Sequence, residues 1–545
     1  MKIKKKNQNK ESVKRTPAQW IAYVYLLMML GVFPLFYTDN YINIMESKWY
    51  VFMIPTLIAF LSISACQIVT AVKTGKKPDL QAVRTMPPYD KILVFFFAAL
   101  MISWIGTFFI GLPKESFFGT MGKLSGTFLY LVLIAAFVII ISYGRFDNVV
   151  KHVFLWCNFI VFFLALLNHF MVDPLNMYVN LDPEQYWMFC STMGNVNVLS
   201  GYFSVFVPIT VAFFIWSDNM DESLMLGLIM IVSFMGLIAA NGDAGILGVL
   251  GAFLVLLWFS FSDVNRLTRF FFSVAVFFTG AAIVGSMDDS FAGTVKDALD
   301  TLPAFISKSA VNRAGIVVGW GLFIALLILG KKKKEVDLRK VRNALFGILA
   351  ALFILIMAVF IYFSVVDTAK DLGRWETYLR FSDLWGSSRG FTWKRTMIMY
   401  LQHYNIFQKL FGYGPDLLIE PYHTYFHEQI MEKMGAYLAD AHSEFFQTLA
   451  SMGLAGVIGY FGFMIAALAS LFKSASAIVS AADDISGKKI DPRAGTFIIA
   501  ASAGIFGYMI QGLLCSPQPI STPVVFVVMA LALSCQKNIK VGKKV

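Results

Sequence analysis

The chain has 545 residues, of which 58% are hydrophobic and 14% charged, with a formal net charge of +11. Soluble domains run about 45–50% apolar and about 25% charged, so both values depart toward lipid and exclude a soluble enzyme and a disordered tail protein. One membrane span takes roughly 20 residues, and the apolar content is enough for fourteen. Apolar runs fall near 18–36, 49–72, 92–111, 125–143, 152–171, 197–216, 223–240, 244–262, 270–286, 314–330, 343–366, 445–472, 495–514 and 520–536. The fold class expected is therefore an all-α polytopic membrane protein of about 14 transmembrane helices. The first run is too long for a signal peptide and has no small-residue cleavage site after it.

Fourteen spans put both termini on one side. With that side assigned to the cytoplasm, 31 of the 45 Lys and Arg and 13 of the 34 Asp and Glu lie inside, which gives +18 inside and −7 outside. This is the positive-inside asymmetry. It is anchored by Lys4, Lys5 and Lys6, by Lys331 to Lys334, and by Lys540, Lys543 and Lys544. The net charge is thus a topology signal, and a nucleic-acid partner is not expected. The organisation expected is a basic cytoplasmic segment at 1–17, eleven spans over 18–366, an extracytoplasmic loop at 367–443, three spans over 444–536 and a basic cytoplasmic tail at 537–545.

The loop at 367–443 stands apart, because the other connections are short. It holds four of the six His, namely His403, His423, His427 and His442, and eight Lys and Arg. Trp375, Trp385 and Trp393 are residues that disordered segments lack, so a helical cap lying on the bundle is expected. Within it, Gly386-Ser387-Ser388-Arg389-Gly390 opens an amphipathic stretch with Ser387 or Ser388 as the N-cap. A cation at a helix start works against the macrodipole unless an anion is to be bound there. The alternative is that Arg389 simply pairs with Asp383. Gly412-Tyr413-Gly414-Pro415-Asp416 reads as a turn whose glycines allow close backbone approach. His442 falls where the cap re-enters a membrane helix, placed to accept a proton, or merely solvated. Gly453, Gly456 and Gly459 follow at a three-residue spacing that suits tight helix packing.

Taken together, Arg389 with Trp393, Gly412 with Gly414, and His442-Ser443 with Gly453 resemble the C-terminal signature of the O-antigen ligase and polymerase superfamily. Upstream, Ser116 to Gly119 running on to Lys123 and Gly126, and Ser191-Thr192-Met193-Gly194-Asn195-Val196-Asn197, resemble two further stretches of that family. The resemblance covers about residues 110–470. It implies a GT-C-like architecture and transfer of a glycan from a polyprenyl diphosphate to a carbohydrate, lipid or protein acceptor outside the cytoplasmic membrane of a bacterium. It also implies that Arg389 holds the diphosphate, that His442 activates the acceptor, and that no metal or other cofactor takes part. Lys123, Trp393, Gly412, Gly414 and Asn195 are the substrate-binding candidates it suggests, and Arg313, near an outer helix end, joins Lys123 as a candidate second cation where the chain departs from the family pattern.

The family's basic residue at the outer end of the seventh or eighth span is missing. The corresponding stretch reads Asn241-Gly242-Asp243-Ala244-Gly245, and Asp243 is expected to pair with Lys123 or Arg313. His423 and His427 are spaced i, i+4 near Glu420 and Glu428, without the order or third ligand of a zinc site, so a solvated helix face is expected there. Five Cys form no framework; Cys190 and Cys515 are the one pair on a common side. A lipid-linked glycan flippase and a non-catalytic assembly partner are the alternatives, and nothing here separates ligase from polymerase.

Overall fold

The computed structural model describes residues 15–75, 86–120, 122–331, 337–435, 437–481 and 491–541. The basic runs at Lys4 to Lys6, Lys332 to Lys334 and Lys543-Lys544 lie outside the described residues, as does the side chain of Lys540. The described residues form helices, with one hairpin among them made of the two-residue strands β1 (Phe189–Cys190) and β2 (Gly194–Asn195).

Helices α1 (Pro17–Leu27, extended by a π turn to Val32), α2 (Ile44–Thr74), α3 (Pro88–Gly106), the short α4 (Pro113–Phe118), α5 (Thr127–Tyr143) and α6 (Asn148–His169) come first. They are followed by α7 (Val196–Ile215), α8 (Met220–Ala239), α9 (Asp243–Ser260), α10 (Val264–Ser290), the short α11 (Thr301–Lys308), α12 (Ala310–Lys331) and α13 (Leu338–Ile361, extended to Val366). The cap contributes α14 (Glu376–Leu379), α15 (Trp385–Ile398), α16 (Ile406–Phe411) and α17 (Ile419–Met434). The chain closes with α18 (Glu444–Ala481), α19 (Pro492–Gly512) and α20 (Ser521–Val541). Each of the fourteen apolar runs of the sequence coincides with a helix. Among the described residues, 12 are long and apolar enough to cross a membrane, while Pro17–Val32 and Thr127–Tyr143 are apolar but shorter.

Burial sorts these helices. α7 is buried over its whole apolar window and forms the bundle centre with α9 and α19. Lipid tails supply little force for helix association, so close packing of small residues does this work. A Cβ on Gly507 would lie 2.7 Å from the carbonyl oxygens of Gly248 and Ser204, which fixes how near α19 comes to α9 and α7. At the other extreme α13 buries none of its window and α12 almost none; α12 packs against α10, and α13 meets α9 through Phe346 and Arg342 on the ring of Trp258.

Polar ends are satisfied locally. Thr16 and Gln19 form a capping box on α1, Asp147 caps α6 and Asn195 caps α7. The cap has a small core of its own, made by Phe391, Met399, Tyr404, Leu418, Tyr422, Phe426, Ile430 and Leu438, which closes onto Ala450 of α18. Gly459 packs against Phe96 of α3, whereas Gly456 faces Met452 and Thr448 of its own helix and Gly453 serves a different purpose, described below. All five cysteines are free: Cys190 points at the Ala165 carbonyl and Cys515 at the Asn197 side chain, so the pairing does not form.

Candidate active site

The site is assembled where the cap meets α18. In that helix Gly453 leaves helical geometry, with φ +66° and ψ −168°, and the break frees carbonyls upstream of it. The cap turn takes them up: Tyr413 N–H donates to Ala450 O and Gly414 N–H to Ser451 O, both at 3.0 Å. Gly412 has φ +82°, and a Cβ there would lie 2.2 Å from the Ser451 carbonyl carbon and oxygen. A Cβ on Gly453 would lie 2.4 Å from the carbonyl carbon of Leu410. The close approach anticipated at Gly412 is therefore to α18 itself, and that at Gly414 is to Thr107 and Leu417.

The turn ends on Asp416, which is buried and accepts from Thr120 N–H at 2.7 Å, Ser125 N–H at 3.1 Å and Thr120 Oγ1 at 3.2 Å. It thereby fixes the 119–126 loop and presents Lys123. The Lys123 ammonium pairs with Asp440 Oδ2. The other oxygen, Oδ1, accepts from Ser516 Oγ and, at 2.6 Å, from the His442 backbone N–H. That Asx-type contact holds His442 in the left-handed region at φ +50°. The neighbouring Ala441 N–H donates to Gln447 Oε1, and its carbonyl accepts from Trp393 Nε1, each at 3.0 Å. Trp393, stacked on Phe446 at 5.0 Å, thus spends its one donor on the strap that carries His442.

Arg389 reaches the same place from the cap. Its Nε donates to Leu514 O at 3.0 Å and its Nη1 to Gly386 O at 2.8 Å. Among the described residues no carboxylate pairs with it; Asp383 is taken by Lys394 at 2.8 Å, so the pairing weighed for Arg389 is not made. The expected N-cap is also absent. Gly386, Ser387 and Ser388 all adopt left-handed backbone geometry ahead of Arg389, a turn that puts the Gly386 carbonyl on the guanidinium. Non-glycine residues pay for this conformation with roughly 1–2 kcal/mol each. Ser387, Ser388, Asp416 and His442 are four of the thirteen such residues described in the chain, and strain of this kind gathers at functional sites.

The electrostatics follow from these contacts. Burial alone would raise Asp440, but the Lys123 ammonium, with His442 and Ser516, outweighs it and holds the carboxyl well below the usual range. His442 is pushed down by burial, against the pull of Asp440 and with added repulsion from Lys123 and Arg389. Its side chain is 45% exposed, with Nδ1 3.9 Å from Asp440 Oδ1. A neutral imidazole with Nδ1 turned to a carboxylate leaves Nε2 as a free base. Beneath it Glu444, buried at the first position of α18, accepts from Tyr508 Oη, which also meets Thr522.

Other residues singled out in the sequence stand elsewhere or are otherwise engaged. Asn195 Oδ1 accepts from Asn197 N–H as the α7 cap. Arg313 is exposed near the start of α12. Asp243 pairs with neither Lys123 nor Arg313: it accepts from Thr301 Oγ1 at 2.7 Å and Leu302 N–H at 3.1 Å, and so docks α11 on the start of α9. His423 and His427 lie 4.5 Å apart, both against the exposed ring of Tyr437. Sequence reasoning missed Asp440, Asp416 and Ser516. Asp440-Ala441-His442 carries the i, i+2 spacing of an Asx turn and was open to discovery; Ser516 carries no such signal.

Residues 302–461, less than a third of the chain, match the family model described as O-antigen ligase. No curated protein matches the chain. The matched segment contains the cap, Arg389 and His442, and it supports glycan transfer of the O-antigen ligase or polymerase type, with a lipid-linked glycan as substrate, by a membrane-embedded, glycosyltransferase-like enzyme.

Proposed function

We propose that this O-antigen-ligase-like chain transfers a glycan from a polyprenyl diphosphate to an acceptor hydroxyl or amine at the outer face of a bacterial cytoplasmic membrane, with both termini in the cytoplasm. The observation that carries the reading is the convergence of an Arg389 without a carboxylate partner among the described residues and a half-exposed His442 whose backbone is pinned by Asp440. Nε2 of His442 takes the acceptor proton as the acceptor attacks the anomeric carbon. The bond from that carbon to the diphosphate oxygen breaks, and the electron pair leaves with the diphosphate. Arg389 meets the charge that builds there, a placement typically worth several kcal/mol in the transition state. A diphosphate is already a good leaving group and side chains supply the cations, so the reaction does not demand a metal.

The test uses purified protein with lipid-linked glycan and candidate acceptors. Arg389→Ala and His442→Ala each abolish transfer while the protein still inserts and purifies normally. Full turnover in both variants would sink the assignment. Supplying a second repeat unit or an unrelated acceptor in the same assay separates polymerase from ligase.

A further inference from the structure

Asp416, Lys123, Asp440 and Ser516 share the wall of a single cavity, whose other lining includes Ser125, Tyr130, Gln447 and Ser451. Its volume is about 10 Å³, room for one water. A water also needs two to four polar partners, and this wall is rich in them. Asp416 spends Oδ2 on the 119–126 loop, and no described group donates to its Oδ1. The Ser451 hydroxyl is buried without a partner among the described residues, a condition that buried polar atoms rarely sustain. An acid, an ammonium and an orphaned hydroxyl therefore face one water-sized space.

We propose that Asp416 is a positioning residue for glycan transfer: through one water held between it, Ser451 and the Lys123–Asp440 pair, its protonation state sets how much of the Lys123 charge is presented to the diphosphate. The inference rests on the site reading above. With Asp416 ionised, two carboxylates share Lys123, and the charges of Lys123, Arg389, Asp440 and Asp416 cancel. With Asp416 protonated, one positive charge remains for the donor. The charged and titratable groups facing Asp416 are Lys123 from the 119–126 loop, Asp440 from the strap, Tyr130 from α5 and, across Tyr130, Glu444 from α18. Burial raises the Asp416 carboxyl to about 6, opposed by the N–H groups of Thr120 and Ser125 and by Lys123, so the change falls within the pH range an exposed enzyme meets.

The experiment measures steady-state transfer by the full chain between pH 5 and 8, with the lipid-linked glycan varied, for the wild type, Asp416→Asn and Ser451→Ala. In the wild type, KM for the donor rises as pH passes through about 6. Asp416→Asn keeps an acceptor oxygen for Thr120 and Ser125 but carries no charge. Its donor KM stays low and flat, about tenfold below wild type at pH 8, which is what one charge removed at roughly 10 Å is worth at an effective dielectric near 20. A purely structural role would be rescued by Asn with the wild-type pH dependence intact, and that result overturns the proposal. Ser451→Ala moves the inflection; an unmoved inflection overturns the water link. If Asp416→Asn does not fold, infrared difference spectra of the wild type and of Glu444→Gln decide, because a carboxylic-acid carbonyl band that persists in Glu444→Gln must disappear as pH rises through about 6, and the absence of such a band overturns the proposal. Full turnover in both Arg389→Ala and His442→Ala overturns the underlying site reading, whereas inactive Arg389→Ala and His442→Ala beside an unaltered Asp416→Asn profile overturn this proposal alone.

Discussion

Replacing Asp440 with Asn changes almost nothing in shape and nearly everything in charge. The Asp440 side chain is 9% exposed and its partner Lys123 24% exposed, so the pair lies between two regimes. Exposed pairs are worth about 0–1 kcal/mol, and breaking a fully buried pair costs about 3–5 kcal/mol. Two unit charges about 4 Å apart attract by about 4 kcal/mol at an effective dielectric of 20. The quarter-exposed ammonium recovers part of that from water. The amide oxygen of Asn still accepts from the His442 N–H and from Ser516, which preserves the strap. We expect a net loss of about 2 kcal/mol in stability, most of it the stranded ammonium. Catalysis suffers separately, because the imidazole then faces Lys123 and Arg389 without the opposing carboxylate and becomes a weaker base. Transfer falls by up to roughly a hundredfold, the lower end of the range general-base effects span. The assay is a double-mutant cycle of Asp440→Asn with Lys123→Met, reading both denaturant unfolding in detergent and glycan transfer. The double variant recovers stability relative to Asp440→Asn alone. A coupling below about 0.5 kcal/mol, or full transfer by Asp440→Asn, refutes the reasoning.

Three further outcomes are open to direct measurement. Gly412→Ala drives a Cβ to 2.2 Å from the Ser451 backbone at φ +82°, and the loss of folded protein, read by thermal melting, greatly exceeds that of Gly75→Ala, where φ is +62° but nothing lies within 4 Å. Because burial raises Asp416 to about 6 from an unfolded value near 3.9, its folded form binds the proton more tightly, and stability falls as pH rises from about 4 to 6 by up to about 3 kcal/mol. Asp416→Asn flattens that segment of the pH–stability curve, while Asp440, held below its usual range, acts oppositely and loses its stabilisation only as pH drops below about 4. Transfer proceeds at an unchanged rate in excess chelator; a loss restored by one divalent cation would contradict the metal-independent reading.

Much of the fold was legible because hydropathy responds to lipid directly. A helix in hydrocarbon must satisfy its backbone internally, so each span announces itself as an uninterrupted apolar run, and all fourteen runs are helices. The cap was legible as a folded segment from its aromatics, but its details were not. Ser387 and Ser388 have the composition of an N-cap, yet both lie in left-handed backbone geometry, in a turn whose Gly386 carbonyl accepts from Arg389 while the same guanidinium reaches Leu514 O, 125 residues away. Tertiary packing there overrides the local preference. Asp243 was misread for a similar reason: its partner is decided by the docking of α11, which brings Thr301 to it from 58 residues away.

The site residues divide along the same line. Arg389 stands out in sequence as a cation at a helix start and His442 as a titratable group where the cap re-enters a membrane helix, whereas Asp440 draws its importance from contacts 317 and 76 residues distant, with Lys123 and Ser516. No periodicity encodes such contacts. This gives the resemblance a sharper physical meaning. Lys123 is one of the substrate-binding residues the resemblance implies, but its ammonium is already committed to Asp440, and a donor diphosphate can use it only in competition with that carboxylate. Arg389 meets no such competition among the described residues, since its contacts are the Leu514 and Gly386 carbonyls. On the proposed reading the two cations divide the work, Arg389 as the primary anchor for the leaving group and Lys123 as a charge whose availability depends on its carboxylate neighbours. If so, Lys123→Arg, which keeps the charge, retains more transfer than Lys123→Gln, while neither variant abolishes it as completely as Arg389→Ala.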